Sequence, residues 1–154
     1  MIKLPAPPKP RGNDRPTVTF GGLVQLGGQV SRDDAGMAIT RRLVSGDDLA
    51  TARQAAETAM LRCLSALEAE IGSLDRAAQI LMVRGYIRSM PDFEAHPQVM
   101  DAASDILVSV LDERTRSLAV SARDSAASIS AALWFIRLSP SSSTASALPS
   151  LMSK

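Results

Sequence analysis

Few residues in this chain have the chemistry to react. Arg116-Ser117 stands at the start of a predicted strand, where a guanidinium on a stiff backbone can hold a carboxylate bidentately and stays charged at any useful pH. Far upstream, Gly27-Gly28-Gln29 ends another predicted strand. A glycine there either lets a ligand approach the backbone or marks a bulge or turn. Ser130, on the last predicted strand, can hydrogen-bond a water but cannot take its proton at neutral pH. Tyr86 can reach a cleft from a strand or sit half-buried in it. On side-chain type alone, Arg116 reads as an ordinary surface or interface ion-pair residue.

The remaining candidates have simpler explanations. Cys63 falls on the apolar stripe of a long helix and reads as a buried, inert thiol. His96, the single histidine, precedes Pro97 and reads as a loop residue near a helix start. One His and one Cys cannot assemble a conventional metal site, and no HExxH or CxxC spacing occurs. Asp33-Asp34 and Asp47-Asp48 suit loop solvation and helix capping, and Arg41-Arg42 a solvated loop. Gly21-Gly22 and Gly27-Gly28 lack the spacing of a phosphate loop, and no Walker A or Rossmann pattern appears, so no cofactor is expected.

The elements that must position these residues follow from pattern. Thr17–Phe20 reads as a strand, Gly21-Gly22 as a tight turn, and Leu23–Val30 as the returning strand of a hairpin. Residues 31–46 read as a polar loop. Ser45 can cap a helix, with Asp48 in the capping-box position. Leu49, Ala52, Ala56, Met60, Cys63, Leu64, Leu67 and Ile71 then recur at helical spacing up to Gly72, a plausible C-cap, while Arg53, Glu57, Arg62 and Glu68 fall largely off the stripe. Ala77–Ser89 reads as a strand with Ile80, Met82 and Tyr86, or their alternates, facing inward. Pro97 suits the first turn of a second helix running to about Asp112, with Val99, Ala103, Ile106, Leu107 and Val110 inward. Arg116–Ala122 and Ile129–Leu138 read as the last strands. The order β-β-α-β-α-β-β predicts an α+β domain, a mixed sheet with two helices on one face. The other face then needs cover that the chain lacks, which predicts a homo-oligomer.

Composition sets the limits. With 154 residues there is enough chain for one domain with a real core. The Pro-rich, charged residues 1–16 predict an extended, mobile arm, residues 17–138 the folded domain, and residues 139–154 a low-complexity tail. A net charge of +1 gives no pull toward nucleic acid or an anionic membrane. No apolar stretch approaches a bilayer span, the N-terminus lacks the apolar core of a signal peptide, and a lone cysteine excludes an internal disulfide. A cytoplasmic protein fits these facts.

The stretch Asp92-Phe93, Asp101-Ala102-Ala103-Ser104-Asp105 and Arg114-Thr115-Arg116-Ser117 resembles the Rid (reactive intermediate deaminase, YjgF-like, L-PSP) family, in its chorismate-mutase-like branch. Gly27-Gly28-Gln29 corresponds to that family's Ser-Gly-Gln. The resemblance covers most of residues 20–138. It implies a chorismate-mutase-like homotrimer whose sheets line a central barrel, with clefts between neighbours. It further implies that Arg116 grips the carboxylate of a small imine or enamine, Gly28 allows close backbone approach, and the Leu118 main chain positions water. Asp101 stands where the family has a cleft asparagine.

The chain departs from the pattern on its last strand. Deaminating members carry a glutamate there, whereas Ser128-Ile129-Ser130-Ala131-Ala132 has no carboxylate. The expectations are therefore hydrolytic deamination of a small imine carboxylate or, as the alternative, binding of a small carboxylate without turnover. A third is a specialised reaction in which Asp101 supplies the acid-base group. Near-neutral charge and the lack of a His-based acid/base pair weigh against RNA cleavage.

Overall fold

A computed structural model of the chain describes residues 2–9, 12–32, 36–37, 48–112, 119–124 and 130–139, with the backbone alone for 119–124 and 130–135. The elements run β1 (Thr17–Phe20), β2 (Leu23–Leu26), β3 (Gln29–Val30), α1 (Leu49–Ile71), β4 (Ala77–Ile87), α2 (His96–Leu111), β5 (Ala119–Asp124) and β6 (Ser130–Leu138). A single 3-10 turn, Leu74–Arg76, links α1 to β4. The strands form one mixed sheet in the order β1-β2-β6-β4-β5, with β3 also on β6. Only the β4–β5 pair is parallel among the described strands, as expected for two strands joined through a helix. This is the α+β arrangement that the sequence predicts.

The hairpin forms as expected. Gly21 and Gly22 both take positive φ (57° and 76°), which matches the twist of a two-residue turn and which bulkier residues resist. The returning strand is interrupted rather than continuous. Val24 faces Ile136 and Gln29 faces Ala131, so the register on β6 is kept while the ladder breaks at Gly27-Gly28. At the break, the Gly27 amide donates instead to the carbonyl of Pro16 at 2.8 Å.

Helix α1 carries the core. Its stripe buries Ala52, Ala56, Met60, Cys63, Leu64, Leu67 and Ile71, joined by Ala55, Ala59 and Ala66. The alanines let α2 approach closely, and Ala102 and Ala103 answer from that side. Gly72 ends α1 in the left-handed conformation (φ 81°), its amide donating to Glu68. The start differs from the sequence reading. Asp48 is itself the N-cap residue, without a side-chain cap bond, and Ser45 lies outside the described residues. Helix α2 starts at His96 with Pro97 in its first turn and buries Val99, Met100, Ala102, Ala103, Leu107 and Leu111.

Strand β4 corrects one expectation. Its buried positions are Ala77, Ile80, Val83, Gly85 and Ile87, while Met82 and Tyr86 are half-buried. Register irregularities against β6 between Ile80 and Val83 supply the extra residue that resets the period-2 alternation. Beyond that point Val83, Gly85 and Ile87 face the helices, and Arg84 and Tyr86 face the other way. Gly85 lies directly under α2: a Cβ there would overlap the Met100 thioether.

The N-terminal arm is extended, as its prolines dictate, and it lies along α1. Leu4 packs against the core, and the Ser65 hydroxyl donates to the Pro5 carbonyl at 2.7 Å.

Candidate functional site

Strand β6 brings the sequence candidates to one end of the sheet. Ser130 faces Val30 of β3 on one side and Tyr86 of β4 on the other. Tyr86 in turn pairs with Arg123 at the end of β5. Gly28 sits in the break just before β3, exposed, with nothing within 4 Å of where a Cβ would stand. Gly28, Ser130 and Tyr86 thus converge through backbone register, although they are remote in sequence. Strand β5 enters the sheet beside Met82 and ends beside Ile87. Arg116 and Leu118 precede it and lie outside the described residues.

Asp101 is not part of this convergence within one chain. It is exposed on α2, in the helical layer, whereas Tyr86 is on the opposite sheet face. The sequence reading overlooked Arg84, which shares the outer face with Tyr86 and is half-buried there, one of its terminal nitrogens 3.7 Å from the Met82 sulfur. Its signal was a charged residue alternating with Met82 and Tyr86 in an apolar strand. Farther out on the hairpin, Val18 and Phe20 are 56% and 85% exposed, and with Leu23 and Gln25 they line a shallow apolar depression.

His96 and Cys63 behave as structural residues. His96 Nε2 lies 3.0 Å from the hydroxyl of Ser89, and its ring meets Phe93 edge-on at 5.1 Å, tying the end of β4 to the start of α2. Cys63 is fully buried. No cluster of three metal-ligating side chains occurs among the described residues. Among the described residues, a perturbed carboxylate lies elsewhere. The Glu70 carboxylate accepts from the Thr19 and Thr17 hydroxyls, both at 2.7 Å. Those two hydrogen bonds, Thr19 first, with Arg15 adding a smaller attraction, hold its pKa below the usual carboxylate value.

These features define a class before they define a reaction. Two helices on a mixed sheet of this order make the fold of the YjgF/L-PSP/RidA proteins. A protein of Shewanella oneidensis, crystallised as a candidate endoribonuclease, superposes with a TM-score of 0.77 at 22% identity, over 89% of this chain and 93% of that one. Atu1372 from Agrobacterium tumefaciens, of unknown function, superposes with a TM-score of 0.75 at 26% identity, over 85% and 86%. No protein-family model matches the chain. By sequence it is 30% identical to protein TCP17 of Trypanosoma cruzi over 112 residues, 73% of this chain and 70% of TCP17. The chain belongs to the same family as TCP17. No helix among the described residues is long and apolar enough to cross a membrane.

Proposed function

We propose that this protein is a Rid-type deaminase of the chorismate-mutase-like branch, hydrolysing a small imine or enamine carboxylate in a cleft between subunits of a homotrimer. The observation that carries the reading is the register around Ser130, which gathers Gly28, Ser130 and Tyr86 at one end of the sheet. A protein of the same fold, TdcF of Escherichia coli, is known with bound serine, a small amino carboxylate. In the proposed step Arg116 holds the substrate carboxylate, and Gly28 lets it approach the backbone. The Leu118 main chain and Ser130 orient a water toward the C=N carbon. Water adds to that carbon with one proton passing to nitrogen; the hydroxyl proton of the resulting carbinolamine then follows, and the C–N bond breaks as C=O forms. Ammonia leaves and a 2-keto acid remains. Orientation supplies most of the acceleration, so no strong base is required.

Oligomerisation has a separate physical argument. The helices cover one sheet face, while Phe20, Val18 and the half-buried Met82 and Tyr86 occupy the other without a covering layer among the described residues. A second reading, carboxylate binding without turnover, is favoured by β6 itself, whose sequence SAALWFIRL contains no carboxylate.

Release of ammonia and keto acid from freshly generated 2-iminopropionate decides between the two. Turnover that falls at least about a hundredfold in Arg116→Ala supports the deaminase. Carboxylate-induced thermal stabilisation that depends on Arg116, without ammonia release, supports the binding protein. Arg116-independent turnover contradicts both roles for Arg116.

A further inference from the structure

A cleft of about 210 Å³ opens between the N-terminal arm, the Gly28–Val30 segment and α1. Among the described residues, Lys9, Arg32 and Arg62 line it, with Asp14 as the carboxylate. Like charges sharing one small space repel each other, and an anion between them would relieve that repulsion. Arg62 sharpens the point. It is half-buried on the flank of α1, and its Nε is sealed from solvent with no hydrogen-bond partner. With Nε sealed, only the terminal nitrogens of Arg62 can meet a ligand in the cleft. Nothing in the packing of α1 requires a guanidinium there, because the stripe beside it is built from Ala59, Ala66 and Cys63. Arg32 spends one terminal N–H on the Gly36 carbonyl at 3.1 Å and keeps its remaining donors.

We propose that this cleft is a binding site for a small dianion, a phosphate or a short dicarboxylate, with Arg62, Arg32 and Lys9 supplying the charge. Among the described lining side chains the balance is two positive charges, three cations less one carboxylate, which matches a dianion. Its volume suits a ligand of a few heavy atoms. Gly28 forms part of the wall and leaves it open. None of the three cations is assigned to the deaminase step, although Gly28 is common to both readings.

The test is thermal shift and calorimetry on the full chain, with sodium phosphate and sodium succinate as separate probes against sodium chloride of equal ionic strength. Binding raises Tm by about 5–10 °C near a hundred times Kd. Preference for one probe identifies which dianion chemistry the cleft takes. Arg62→Met keeps the packing stem, weakens binding about tenfold or more, and leaves the ligand-free Tm unchanged or higher. Arg116→Ala binds like the wild type. Should Arg62→Met not fold, Gly28→Val fills the cleft from an open position and must abolish the shift. Three results overturn the proposal: no shift beyond the chloride control, full binding by Arg62→Met or by a folded Gly28→Val, or loss of binding in Arg116→Ala.

Discussion

The two faces of the sheet are built on opposite principles. Toward the helices, Ile80, Val83, Gly85 and Ile87 are sealed under Met60, Leu64, Leu67, Met100 and Leu107, and polar side chains are scarce. Toward the other side, Met82, Arg84 and Tyr86 are only half-buried, and Phe20 is almost fully exposed. The first face holds the fold together, and the second, with the strand ends beside it, is where the proposed binding and assembly rest. A chain organised this way should tolerate changes on one face at the expense of function and on the other at the expense of stability.

The helical face gives the largest stability effects. Leu64→Ala or Leu107→Ala removes a fully buried side chain and should cost about 2–5 kcal/mol, read as a lower denaturant midpoint. Next comes Gly85→Ala. The added methyl must displace the Met100 side chain, which is buried but flexible, and the expected loss is about 1–3 kcal/mol. A Gly85→Ala variant as stable as the wild type would show that α2 sits more loosely on β4 than the geometry states.

The outer face should respond in assembly. Phe20→Glu exposes no new core and is expected to leave subunit secondary structure intact while shifting the mass seen by light scattering toward monomer. An unchanged mass would remove the hairpin from the proposed interface.

The smallest effect concerns Glu70. Its pKa is lowered in the folded state by the Thr19 and Thr17 hydroxyls, so its stabilisation is fully present above the unfolded carboxylate pKa and is lost as pH falls through the folded value. The group is largely exposed, which limits the effect to a few tenths of a kcal/mol at most, about that of a weak surface interaction. Thr17→Val with Thr19→Val should lower stability at neutral pH by that small amount and flatten this part of the acid limb of a stability–pH curve, with no change from this source below the folded pKa.

The contrast between faces also explains what the sequence disclosed. The α1 stripe repeats over many turns and ends in Gly72, so its periodicity is unambiguous. Pro97 marks α2, and Gly21-Gly22 marks the hairpin. The facing of β4 was not readable, because the irregularity between Ile80 and Val83 shifts the alternation and only the β6 register reveals it. The break at Gly27-Gly28 depends likewise on a distant partner, Pro16. Proline-rich residues 2–9 look like a free arm until Leu4 and Pro5 are seen against α1. For the site, Gly28, Ser130 and Tyr86 were nameable from residue type and family resemblance, but their convergence is a property of strand register. Arg62 looked like a solvated helix residue, since nothing in its spacing announces a sealed Nε.

The central claim, that function belongs to the strand ends and outer face rather than to the core, is tested most directly by one assay. Ammonia release from 2-iminopropionate is measured for the wild type, Arg116→Ala and the core variant Leu107→Val, each normalised to folded protein. The account predicts that Leu107→Val keeps its rate per folded molecule despite lower stability, while Arg116→Ala falls at least about a hundredfold. Equal rates in Arg116→Ala and the wild type, or no release from any of the three, would contradict it.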